Sequence, residues 1–219
     1  MTARVHPVAG IIAALARAVS GVQVRRVGDK PSGSQSIYFA NHTSHLDFVV
    51  LWSALPSEVR ARTRPVAAKD YWSTGIKLFL AQSVFRAVLV DRKRIASQEA
   101  GEIRPHAGAF AVIDQMAEAL GETDSLIIFP EGTRGSGETV APFRSGLFHL
   151  AKKRPQVELV PVYLENLNRI LPKGEILPVP LVSLLTFGPP LRVGETEDKN
   201  AFLERARAAV CDLRRKKEV

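Results

Sequence analysis

Apolar positions along the chain alternate between a helical rhythm and short continuous runs, and so predict helices and strands in turn. After Pro7, which suits a first helical turn, Val8, Ile11, Ile12, Leu15 and Val19 share one helical face, with Arg17 opposite. A short strand is expected over 22–27 and a turn-rich loop over 28–33. The run 36–40 reads as a buried strand and 48–55 as a helix ended by Pro56. A charged loop at 58–64 leads to a short strand at 65–68, closing on Lys69-Asp70. The stretch 71–84 carries few charges and predicts a buried or partly membrane-facing helix. A strand at 87–90 then delivers Asp91-Arg92 at its end.

Residues 95–105 are polar and irregular. Phe110, Ile113, Met116, Ala117 and Leu120 set a helix over 106–120. The clearest strand, 125–129, runs into Pro130-Glu131-Gly132-Thr133-Arg134. A loop to Pro142 precedes a short helix ending at Lys153. The strand at 157–164 is interrupted by Pro161, which argues for an edge, an end or a bulge. A proline-rich connection (168–180), a strand (181–187) and a helix starting at Asp198 complete the chain. Its basic end, Arg214-Arg215-Lys216-Lys217, complements the helix dipole.

Strands separated by helices define an α/β fold: a single layered domain with a largely parallel or mixed central sheet flanked by helices. The division is an N-terminal amphipathic helical arm over 1–21 and a main domain over 22–219. The arm's apolar run, 8–16, falls short of the roughly 20 residues that span a bilayer. It suits a helix lying in the membrane interface or one packed on its own domain. A secretory signal, hinted at by Ala16-Arg17-Ala18, is the least suited reading, because the arginine is out of place there.

The hydrophobic fraction of 46% over 219 residues is that of a globular domain with a sizeable core. A single cysteine, Cys211, excludes an internal disulfide and any multi-cysteine zinc site. The net charge of +8 favours polyanionic partners: nucleic acid, an anionic membrane surface, or phosphorylated ligands and acidic carriers.

Chemistry gathers at the strand ends, where such sheets place their sites. In the stretch 41–47, His42 and Asp47 would lie about 140° apart on a continuous helix. For the carboxylate to meet the imidazole, His42 must sit in the turn and Asp47 in the first helical turn. Ser44 would cap that helix, with Asp47 completing something close to a capping box. The plain alternative is a capped helix start beside a loop histidine. In the second stretch, Gly132 lets backbone approach a ligand closely, and Thr133 and Arg134 offer a hydroxyl and a guanidinium fork suited to phosphate oxygens. Its plain alternative is a tight turn with a Glu–Arg ion pair.

Together these stretches resemble the glycerolipid acyltransferase family, specifically the 1-acylglycerol-3-phosphate O-acyltransferases (lysophosphatidic acid acyltransferases). The family's N-H-x-S-x-x-D block matches Asn41, His42, Ser44 and Asp47. Its D-R block is similar to 88–92, F-P-E-G-T-R matches 129–134, F-x-x-G matches Phe143 and Gly146, and V-P-V matches Val160-Pro161-Val162. The chain departs from the pattern at Arg86, where the second block opens with glycine, and in a short N-terminal arm without the full membrane span of many relatives.

The resemblance implies a glycerol-3-phosphate acyltransferase-like fold over 22–219 and transfer of a fatty acyl group from acyl-CoA or acyl carrier protein. The acceptor would be the free hydroxyl of 1-acylglycerol 3-phosphate, and the product phosphatidic acid. It makes His42 the general base and Asp47 its orienting carboxylate. Asn41, Ser44, Lys69, Arg92, Glu131, Gly132, Thr133, Arg134 and Pro161 become substrate-binding candidates, with Arg134 on the acceptor phosphate. It implies no metal, no cofactor beyond the thioester donor, no nucleic acid, and a peripheral or interfacial place on the cytoplasmic face of a membrane. Within the family the acceptor could be another lysophospholipid or a lyso-aminolipid. Two other readings are a metallohydrolase using His42, His45 and Asp47, and a non-enzymatic binder of anionic lipid or nucleic acid. His45 occupies a position that the family pattern leaves free.

Overall fold

The structure is a computed structural model that describes residues 7–28, 35–91, 106–170 and 182–215. Among the described residues seven strands form one sheet in the order β1-β7-β6-β2-β5-β3-β4. They are β1 (Gln23–Arg26), β2 (Ser36–Ala40), β3 (Thr63–Ala68), β4 (Val88–Val90), β5 (Ser125–Ile128), β6 (Glu158–Glu165) and β7 (Leu184–Phe187). All neighbours pair in parallel except β6 and β7. Five strands therefore point one way, and their C-terminal ends share one edge. This is the single α/β layered domain expected from the sequence.

Alternation along the strands sends side chains to two cores. Ile37, Phe39, Leu126, Ile128 and Leu159 face one layer of helices: α5 (His106–Leu120), α6 (Gly146–Lys153) and α8 (Lys199–Arg215). Tyr38, Ala40, Ile127, Val160 and Val162 face the other layer, built from α1 (Pro7–Ser20), α2 (Asp47–Ala54), the short α7 (Leu167–Ile170) and the segment ending at Phe85. Both faces of β2 are buried, which explains its unbroken apolar run.

Several local expectations are corrected. The proposed helix over 71–84 is a turn, a five-residue helix α4 (Gly75–Phe79) and a π-helical turn (Leu80–Val84). The charged stretch after Pro56 forms a helix, α3 (Ser57–Ala61), rather than a loop. Arg60 closes the end of α2, bonding the carbonyls of Ser53 and Leu55 with its guanidinium over the Trp52 ring. A charge that reads as solvated surface is thus a C-cap. Asp198 does start α8: its carboxylate accepts the N–H groups of Asn200 and Ala201.

Pro161 lies within β6, between β7 and β2, and not at an edge. Its carbonyl accepts from Gly188, the first residue past β7, so its missing donor falls where that ladder ends. The proline ring fills the space above Gly188, where a Cβ would meet Pro161 Cγ at 2.9 Å and Leu213 at 3.1 Å.

The helix α1 packs on α2 through small residues, with Ala9 and Ala13 buried, while Ile11, Leu15 and Val19 are exposed. Of the large apolar side chains grouped as one face in the sequence, Ile11, Leu15 and Val19 therefore point away from the core, while Ile12 packs against it. Residues 95–105, most of the 168–180 connection, and Lys216 and Lys217 lie outside the described residues; Arg214 bonds the carbonyl of Glu138.

Candidate active site

The site forms where the chain leaves β2 and β5. From β2 the chain passes through α2 on one face; from β5 it passes to α6 on the other. Adjacent strands whose connections part to opposite faces leave a crevice between their ends. Residues 41–47 enter it from β2, and the turn after Phe129 enters from β5.

His42 Nδ1 lies 2.8 Å from Asp47 Oδ2. Asp47 is fully buried, whereas the His42 side chain keeps 19% of its surface exposed. The same Oδ2 accepts the backbone N–H groups of Thr43 (2.6 Å) and Ser44 (2.9 Å). An ionised carboxylate can only accept, so Nδ1 carries the hydrogen and the neutral tautomer leaves the Nε2 lone pair free. Among the described residues Nε2 has no hydrogen-bond partner. The imidazole also stacks on Phe129, with centroids 4.3 Å apart and planes 20° apart. Ring plane, tautomer and position are all fixed.

The capping expectation is corrected here. Leu46, not Ser44, is the N-cap of α2, with no side-chain cap bond. Asp47 reaches back to two amides ahead of the helix instead. The Ser44 hydroxyl is buried and accepts from Leu46 N–H at 3.3 Å. Asn41 turns away from the crevice. Its amide donates to Leu164 O (2.9 Å) and accepts from Leu164 N–H (2.8 Å), joining the end of β2 to β6.

Glu131 is 5% exposed and acts as a clamp. One carboxylate oxygen accepts the His42 N–H at 2.6 Å, the other the Ala141 N–H at 2.8 Å. Gly135 N–H holds the His42 carbonyl at 2.8 Å. The β5 turn therefore grips both sides of the His42 backbone. Burial pushes the Glu131 carboxyl above its ordinary pKa, although bonds from Ala141 and His42 oppose the shift. No Glu131–Arg134 ion pair forms. Gly132 has φ +74°, and a Cβ there would run into the Arg144 side chain, which crosses the turn and bonds the Glu131 carbonyl.

Gly132, Thr133 and Arg134 are exposed. Among the described residues the Arg134 guanidinium has no hydrogen bond or ion pair, so its donors are open to a ligand. Lys69 is exposed at the end of β3, its N–H on the Val90 carbonyl. Pro161 is buried inside the sheet, level with Phe39 of β2, its ring against Gly188. Arg92 lies outside the described residues.

His45 stacks on Tyr71 (centroids 5.0 Å, planes 19°) and does not join His42 and Asp47 around a common point. Among the described residues no three His, Cys, Asp or Glu side chains are grouped as for a metal. Phe129 and Gly135 were not singled out from the sequence. Phe129 carried a signal, since it opens the matched F-P-E-G-T-R run; Gly135 carried none.

Arg86, the position where the resemblance expects glycine, has φ +51°. The backbone thus keeps a left-handed turn that favours glycine. The Arg86 guanidinium bonds Asp124 (2.7 Å) and the Ala61 carbonyl (3.2 Å), anchoring the turn from outside.

A crevice that presents an oriented imidazole, and from its second loop an exposed guanidinium unpartnered among the described residues, suits proton removal from an alcohol that carries an anionic group. Comparison with known proteins identifies the family. Residues 21–165 match the Acyltransferase family model. The chain is 30% identical over 158 residues, 70% of its length, to 1-acyl-sn-glycerol-3-phosphate acyltransferase alpha of Homo sapiens. It is 30% identical over 193 residues, 86% of its length, to the 1-acyl-sn-glycerol-3-phosphate acyltransferase of Limnanthes douglasii. The chain spans about half the length of the mammalian relatives, 49% of the human one, and 62% of the plant one. The fold is similar to the crystal structure of the 1-acyl-sn-glycerophosphate (LPA) acyltransferase PlsC from Thermotoga maritima, with a TM-score of 0.67 and 18% identity. That match covers 97% of this chain and 80% of PlsC. With two thirds of its residues matched to the family model, the chain belongs to the acyltransferase family.

Proposed function

We propose that the protein transfers a fatty acyl group from a thioester, acyl-CoA or acyl carrier protein, to the free hydroxyl of 1-acylglycerol 3-phosphate, forming phosphatidic acid. The observation that carries this reading is the His42–Asp47 pair at 2.8 Å, with Nε2 and the Arg134 guanidinium free of hydrogen-bond partners among the described residues. The names of the similar proteins supply the acceptor class.

The acceptor oxygen attacks the thioester carbonyl carbon as His42 Nε2 takes its proton. Asp47, buried and anionic, stabilises the imidazolium that forms. The tetrahedral intermediate expels the thiolate, which takes the proton back from His42. Ester and free thiol leave, and no acyl-enzyme is needed because the acceptor hydroxyl is itself the nucleophile. Arg134 holds the acceptor phosphate, Thr133 and the Gly132 backbone border it, and Lys69 and Arg92 add positive charge. Asn41, Ser44 and Glu131 serve binding indirectly, by fixing the loops that carry these groups.

We place the protein on the cytoplasmic face of a membrane as a peripheral protein. No helix among the described residues is long and apolar enough to cross one. The exposed Ile11, Leu15 and Val19 on α1 and Ile76 and Phe79 on α4 give it apolar surface for the interface, and the net charge suits anionic headgroups.

The deciding assay gives the purified full chain each thioester donor with a panel of lysolipid acceptors and identifies products by mass. Phosphatidic acid should dominate. Preference for another lysophospholipid or a lyso-aminolipid would overturn the acceptor assignment.

A further inference from the structure

Beside the His42 crevice stands a second cluster that the family motifs do not include. His45 follows His42 by three residues, and its ring lies on Tyr71. Lys77 Nζ sits 4.1 Å from the centroid of that same Tyr71 ring. His45, Tyr71 and Lys77 are all exposed, as is Arg134. Trp72, edge-on to Tyr71 at 5.6 Å and to Phe48 at 5.5 Å, ties the aromatic platform to α2. The polar heads face solvent, while the ring that supports them is anchored.

The charges around His45 are one-sided. Arg134 from the β5 turn and Lys77 from α4 act on it as positive neighbours. Asp47 is the one acid that acts on it. That carboxylate is buried and engaged by His42, Thr43 and Ser44. Lys69 and Asp70, in the turn that carries Tyr71, are both exposed. Cations gathered on one aromatic platform, with the acid that acts on His45 already engaged by its own loop, suit an anion even beside the exposed Asp70.

We propose that His45, Tyr71 and Lys77, with Arg134, form a second part of the phosphate-binding site, taking a phosphate ester carried by one of the two substrates. This rests on the acyl-transfer reading only for which molecule brings the phosphate.

The cluster also explains why a histidine suits this place. In the free protein, partial burial, and then the charges of Arg134 and Lys77, lower the His45 pKa and favour the neutral ring. An arriving phosphate reverses that field. His45 then takes up a proton, donates a charge-assisted hydrogen bond, and rests its positive ring on the Tyr71 face. Phosphate binding and proton uptake are therefore linked, and affinity rises as the pH falls from neutrality toward the His45 pKa of the free protein.

Kinetics of His45→Gln and Lys77→Gln in the full chain test this. One arm compares kcat/KM for 1-acylglycerol 3-phosphate with that for monoacylglycerol. The other compares acyl-CoA with acyl-pantetheine, which lacks the nucleotide phosphates. His45→Gln should lower one of these two ratios about tenfold, the worth of a hydrogen bond between charged groups; Lys77→Gln should lower the same ratio by less. A fall in the acceptor ratio assigns the phosphate to the lipid, and a fall in the donor ratio assigns it to the nucleotide. If neither ratio falls, the proposal is wrong. If the unmodified protein transfers to no acceptor, the acyl-transfer reading fails, and NMR titration of the histidines then decides alone. Glycerol 3-phosphate should raise the His45 midpoint where equal ionic strength of chloride does not; an unmoved midpoint overturns the proposal.

Discussion

The two loops that meet in the crevice are built on opposite plans. In the loop after β2, nearly every polar group has a protein partner: Asn41 on β6, His42 between Asp47 and Glu131, Ser44 and Thr43 on Asp47. In the turn after β5, Thr133 and Arg134 stand exposed, and the Arg134 guanidinium is free among the described residues. A general base gains from having its orientation settled before substrate arrives. A phosphate ligand gains from donors that no internal acceptor competes for. Glu131 joins the two plans. It belongs to the second loop by sequence, yet its carboxylate holds the first.

His42→Ala should have the largest effect. If the first loop does chemistry and the second does binding, the variant should stay folded and still bind acyl donor, while kcat falls roughly 10²- to 10⁴-fold, the usual worth of a general base. Circular dichroism and steady-state kinetics on the same preparation check both halves. Near-normal turnover would return His42 to an ordinary loop residue.

Arg134→Ala probes the other side and should cost less. Losing charge-assisted hydrogen bonds to a phosphate should reduce kcat/KM for 1-acylglycerol 3-phosphate by about 10- to 100-fold, mostly through KM. Monoacylglycerol, which has no phosphate, should be affected far less. Equal losses on both acceptors would make Arg134 part of the scaffold.

The contrast also shows what the sequence could carry. The His42–Asp47 contact was legible because a five-residue spacing meets only across a strand-to-helix junction, and the apolar runs on either side mark that junction. The sheet was legible for the same reason: buried strands such as β2 and β5 leave continuous apolar runs. Which backbone a carboxylate faces depends on neighbours distant in sequence. The sequence therefore does not show that Asn41, a ligand candidate, bonds β6, or that Glu131, another, bonds the amides of His42 and Ala141. The same limit hid Pro161, whose missing donor is harmless only because β7 ends opposite it. At Arg86 a left-handed φ persists without glycine, because Asp124 and Ala61 hold the side chain.

Glu131→Gln gives the smallest effect and separates clamp from ligand most cleanly. The amide retains one acceptor but sets an NH₂ group against either His42 N–H or Ala141 N–H, so one backbone bond is lost. If Glu131 is a clamp, kcat should fall several-fold while KM for 1-acylglycerol 3-phosphate holds. A phosphate contact would instead raise KM. Stability offers a second readout with a definite sign. Burial raises the folded-state pKa of Glu131 above the ordinary 4.5. Between that value and the raised one, the folded state binds the extra proton, so this residue's contribution to stability declines as pH rises through the window. Below the window both states are protonated and the contribution is flat. Glutamine does not titrate. The wild-type protein should therefore lose stability relative to Glu131→Gln as pH rises from about 4.5, and urea unfolding at a series of pH values would measure it. Parallel pH curves for the two proteins would show that the carboxyl does not titrate from its clamp.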